Sequence, residues 1–139
     1  MRTHVPFSLL ATALACSVFA APAHALRARV FVSKAGADVG ACSFSAPCQS
    51  LDYALSGVAP GGEITILDSA GYNPFTITKG VTITVPPGVE AGIAVPSGGT
   101  GITITAGPND TVVLRGLTLE GAATGQTGIA FADGAGLGD

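Results

Sequence analysis

Tryptophan is absent, methionine occurs once, and the two histidines, His4 and His24, both fall within the segment 1–25. That segment reads as a signal peptide. Arg2 gives a positive start, 5–20 is apolar and uncharged, and Ala23-His24-Ala25 supplies the small-x-small site that a signal peptidase needs. The chain that remains, 26–139, therefore has no histidine. That excludes a Ser-His-Asp or Cys-His centre and a zinc site of the usual His and Cys type. Cations are scarce as well: Arg27, Arg29, Lys34, Lys79 and Arg115 stand against nine carboxylates, a net charge of −4. With no basic patch, nucleic acid is excluded as a partner. The leader falls short of the ~20 apolar residues that span a bilayer, and no second hydrophobic run follows it, so no membrane span is expected after cleavage. These features place the protein outside the cytoplasm, secreted or periplasmic.

Cysteine is nearly as rare. Cys16 leaves with the leader, and Cys42 and Cys48 remain in a chain bound for an oxidising compartment. A disulfide between them is the expectation, since their spacing is not the C-x-x-C of a redox centre. Glycine, by contrast, is plentiful. All 20 glycines lie after Ala25, most of them between short apolar triplets such as Ile64-Thr65-Ile66, Val81-Thr82-Ile83, Ile102-Thr103-Ile104 and Leu117-Thr118-Leu119. Gly80, Gly98 and Gly116 are eighteen residues apart. This self-similarity suggests a solenoid whose coils bury their apolar faces by stacking on their neighbours. The outer members of each triplet, from Ile64 to Ile129, are expected to face inward, and the middle residues, mostly Thr, to face water.

One stretch has helical spacing: Leu51, Ala54, Leu55 and Val58, with Pro47 expected in its first turn and Gly57 and Pro60-Gly61-Gly62 to stop it. The expected fold is all-β, a right-handed parallel β-helix with an N-terminal capping α-helix. A β-sandwich is the alternative, if the tight corners Thr78-Lys79-Gly80 and Arg115-Gly116 close hairpins. The expected divisions are the leader (1–25), an opening strand, disulfide loop and capping helix (26–62), the β-helix rungs (63–131) and a disordered Gly-rich tail (132–139).

Several segments together resemble one family. Arg29 to Ser33, Cys42 with Ala46-Pro47-Cys48, Pro60-Gly61-Gly62-Glu63-Ile64, Gly71-Tyr72, 76–83 and Leu114-Arg115-Gly116-Leu117 are similar to exported bacterial right-handed β-helix repeat proteins of the broad pectate-lyase-like class. The resemblance runs from Arg29 to about Phe131 and implies the fold, the helix cap and secretion. It also implies that any enzymatic relative would act on acidic polysaccharide along one sheet. Lyases of the class use clustered carboxylates for Ca²⁺ and an Arg or Lys base, and its hydrolases use adjacent Asp residues. Family domains usually continue for further rungs, so this sequence reads either as a truncated fragment or as a chain whose open last rung another chain covers.

Here no two carboxylates are adjacent. Asp68, Glu90 and Asp110 recur at intervals close to the repeat and could form a ridge that holds Ca²⁺ or sugar hydroxyls. Lys79 and Arg115, at equivalent corners beside glycine, could grip an anionic glycan, and Tyr72, beside Gly71 in an expected loop, could stack on a sugar ring. No catalytic residue is nominated and no cofactor beyond Ca²⁺ is suggested. The sequence points away from catalysis, toward an exported, surface- or envelope-associated β-helix module that binds a polysaccharide or cell-surface glycan. Two alternatives stand beside it: a fragment of a polysaccharide lyase or hydrolase whose catalytic rungs are missing, and a structural protein that self-associates through its open C-terminal rung.

Overall fold

A computed structural model of the chain describes residues 25–121 and 124–132. The leader, but for Ala25, and the Gly-rich tail after Ala132 lie outside the described residues. Ten strands and one helix follow in order: β1 (Arg27–Val32), α1 (Leu51–Gly57), β2 (Val58–Ile66), β3 (Ala70–Tyr72), β4 (Phe75–Ile77), β5 (Val81–Thr84), β6 (Ala91–Ala94), β7 (Thr100–Ile104), β8 (Val112–Arg115), β9 (Leu117–Glu120) and β10 (Thr127–Phe131). They form three sheets, ordered β1-β2-β5-β8, β3-β6-β9 and β4-β7-β10, and every pairing between these strands is parallel. From β2 onward the chain visits the three sheets in a fixed cycle. One pass through that cycle is called a circuit below.

The strands flanking Gly80, and those flanking Gly116, belong to different sheets, so neither corner closes a hairpin. Gly116 bends the chain from β8 into β9 in a single residue. Its φ of 75° and a would-be Cβ 2.9 Å from the Val85 carbonyl leave room for glycine alone.

The eighteen-residue glycine spacing is not the length of a circuit. Val81 pairs with Val112, Ile64 with Ile83 and Phe75 with Ile102, three steps of unequal length, and all three exceed the glycine interval. Gly80 precedes β5, Gly98 lies between β6 and β7, and Gly116 joins β8 to β9, three different corners. What repeats is the inward residue. Val30, Ile64, Ile83 and Leu114 form one ladder, Tyr72, Ile93 and Leu119 another, and Ile77, Ile104 and Phe131 a third. Early members are fully buried, Val30, Ile64, Ile77, Ile83 and Ile93 among them. Sequestering each such side chain is worth about 1.5–3 kcal/mol. The final members depart from the expected core: Leu114 and Leu117 are half-buried, and Leu119 and Ile129 are exposed.

At the other end the core is covered. The segment around Cys42 and Cys48 bonds to the free edge of β1: the Phe31 amide donates to the Cys42 carbonyl at 2.8 Å, and the Cys48 amide to the Phe31 carbonyl at 3.0 Å. Cys42 and Cys48 are joined by a disulfide with Cα atoms 4.8 Å apart. The helix starts at Leu51, capped by Ser50, whose hydroxyl accepts from the Tyr53 amide. Pro47 precedes it rather than sitting in its first turn. Leu51, Ala54 and Leu55 are buried, and the helix abuts β4, the edge strand of its sheet. Val58 already opens β2, so this strand straddles the boundary expected at 62/63.

Replacing Cys42 and Cys48 together by Ser should cost about 2 kcal/mol, from the entropy of so short a loop. Chemical denaturation would show it, and reduction of the unaltered protein should give the same shift.

Candidate functional site

Three of the residues nominated from sequence are engaged structurally. Asp68, in the corner after β2, accepts from the Ser33 hydroxyl at 2.9 Å, from the Lys34 amide and from the Tyr72 hydroxyl at 2.5 Å. Burial pushes its pKa up, but these hydrogen bonds outweigh it and leave the carboxyl below its ordinary value. Tyr72 is not an exposed platform for a sugar. It is 2% exposed, an inward rung of its ladder, with the Lys34 ammonium 5.9 Å from its ring centre. Burial, and then the neighbouring carboxylate, push its hydroxyl well above the usual tyrosine range. Lys79 donates its ammonium to the Val58 carbonyl at 2.6 Å, just past the end of α1, and burial lowers its pKa. The bond ties the corner before β5 to the first residue of β2.

The carboxylate ridge is not assembled as a single row. Ala70 pairs with Ala91, which puts Ser69 opposite Glu90, so Asp68 and Glu90 share one corner of the stack. Asp110 lies in the turn before β8, beside Gly80, and accepts from the Gly107 amide. Lys79 and Arg115 are likewise not equivalent: Arg115 pairs with Thr84, at the far end of β5 from Lys79. Among the described residues no group of three His, Cys, Asp or Glu side chains comes together as a metal site requires.

What the register does build is a trough on the outer face of β3-β6-β9. Tyr72, Ile93 and Leu119 point inward, so their neighbours Gly71, Gly92 and Thr118 point outward and lie side by side. Two of these three have no side chain, and the surface sinks to the backbone. The trough is about 440 Å³ and is bordered by Ser69, Glu90, Thr118 and Glu120. The Glu90 amide donates to the Ser69 hydroxyl at 2.9 Å, which fixes that rim. The Glu120 carboxylate folds back over Gly92, where an added Cβ would stand 2.8 Å from its Oε1. Two carboxylates and two hydroxyls thus converge on a backbone floor with no cation among the lining residues. This arrangement can accept hydrogen bonds from a polyhydroxylated or cationic ligand and would repel an anionic one.

Sequence reasoning found Glu90 but missed Ser69, Thr118 and Glu120. The available signal was the pair Gly71 and Gly92, outward positions next to apolar inward ones, but the register linking them to Thr118 depends on circuits of unequal length. Comparison with family models, with curated proteins and with solved structures finds no match to the chain.

Asp68 supplies a pH test. Its folded pKa lies below the unfolded value near 4, so its stabilisation is complete above that value and is lost as pH falls through the folded pKa. Asp38 acts in the same direction, its carboxylate accepting from the Gln49 and Ser50 amides and the Ser50 hydroxyl. Urea midpoints measured from neutral pH down to about pH 2 should fall steeply below about pH 4. Asp68→Asn should start about 1.5–3 kcal/mol lower and fall less.

Proposed function

We propose that this chain is an exported, non-catalytic module with a right-handed parallel β-helix fold, and that it holds a neutral or amine-bearing glycan in the trough formed by β3, β6 and β9. Three parallel sheets visited in a constant cycle support the helix, and the strong preference of parallel crossovers for one hand supports its handedness. The leader-like segment 1–25 and the Cys42–Cys48 disulfide support export to the cell surface or envelope.

The observation that carries the binding reading is the glycine floor itself. Gly71 lies open and Gly92 lies under the Glu120 carboxylate, where outward positions such as Thr65, Thr82 and Thr103 carry a branched side chain, and the trough's volume falls within the range of small-ligand sites. Glu90 and Glu120 select against the acidic polysaccharides that the family resemblance suggests. A pair of carboxylates beside a sugar is also the apparatus of glycoside hydrolysis, which sets the second reading.

The decisive variant is Gly71→Val. A Cβ at Gly71 meets nothing within 4 Å, and valine suits an exposed strand, so the variant should fold with unchanged or slightly raised stability. Its branched side chain fills the trough. In a glycan panel the unaltered protein should bind neutral or amino sugars, and Gly71→Val should lose that binding by at least about tenfold. Equal binding by both proteins, or none by either, would sink the proposal. Release of new reducing ends, abolished in Glu120→Gln, would replace binding with hydrolysis.

A further inference from the structure

Among the described residues, the circuit of β8, β9 and β10 has three strand edges with no pairing partner, and each inward ladder is least covered there. Leu119 is 37% exposed, Ile129 40% and Phe131 55%, while Val112, Leu114 and Leu117 are half-buried. Sheets normally protect such edges with charge, and the three strands carry Arg115 and Glu120 alone. Glu120 is turned back over Gly92 in its own chain. The opposite end is closed by the disulfide loop and α1, so head-to-tail stacking has no surface to use.

We infer that this end is a docking surface for a second copy of the same chain, like end against like end around a two-fold axis that passes through β8. Such an axis sets β8 antiparallel to β8 of the second copy, and β9 against its β10. Centred on Val113, the register keeps inward residues inward: Val112 of each copy faces Leu114 of the other. The same register brings Arg115 beside Asp110 of the second copy, and the contact occurs twice. Arg115 has no ion pair among the described residues, and Asp110 is an exposed turn residue. The chain as a whole is negative, whereas this end offers a cation and an anion placed to complement themselves. Because the covered end cannot take part, the assembly closes at two and does not grow into a fibre.

Sedimentation velocity on the full secreted chain tests this. The expected species is a dimer that Phe131→Asp converts to monomer. Arg115→Glu should weaken it about tenfold or more, and Arg115→Glu combined with Asp110→Arg should restore it, a recovery that loss of folding cannot imitate. A monomer at high concentration overturns the inference, as does an open-ended polymer or a dimer indifferent to the charge exchange. Hydrogen exchange adds one more outcome: slow β10 amides in a monomer would mean that the chain's own residues cover the edge, which also overturns it.

Discussion

The inward residues of the described strands depend on their neighbours one circuit away. A short strand cannot bury its own side chains, and Ile64 is shielded because Val30 lies on one side and Ile83 on the other. That mutual shielding fixes which residues point inward and leaves the connections free. Corners can therefore differ as widely as the single Gly116 and the stretch 105–111 while Val81 and Val112 still meet in register. The first circuit is the extreme case, where a disulfide loop and a helix take the place of two strands without disturbing the pairing of Val30 with Ile64.

The same constraint sorts the polar residues into two kinds. Where a corner must be held against the stack, a carboxylate is consumed in holding it. Asp38 secures the entry to α1 and Asp68 joins Ser33, Lys34 and Tyr72. Their depressed pKa values follow from these hydrogen bonds. Where the backbone needs no such support, as along the outward row of Gly71, Gly92 and Thr118, polar groups remain at the rim and face outward. In this fold a strongly bonded acid is evidence of structural work.

Much of the strand content was legible because the triplets alternate with period two, and the inward positions from Ile64 to Ile104 followed directly. The helix was legible from Leu51, Ala54 and Leu55, although Val58, expected on the same face, opens β2, and the start was set by Ser50 and not by Pro47. The disulfide followed from compartment and count. Circuit length was not legible, because glycines at different corners happened to fall at a constant spacing and imitated a period. That error carried through to the site. Asp68, Glu90 and Asp110 were aligned by sequence distance, and real register separates Asp110 from the other two. Tyr72 beside a glycine looked like a loop residue because so short a strand leaves little trace. Glu120 was invisible for a related reason: its nearness to Gly92 comes from the step between β6 and β9, whose length the glycine spacing does not reveal.

The trough owes its shape to side chains that are missing. A cleft walled by long residues must select rotamers when it is filled, at about 0.5–1.5 kcal/mol for each one immobilised. A floor of Gly71 and Gly92 has no rotamers to select, and its backbone is already pinned in parallel ladders. The floor is thus as rigid before contact as after it, and the ordering cost of filling the trough falls on its rim alone, chiefly on Glu90 and on the Glu120 side chain that lies over Gly92.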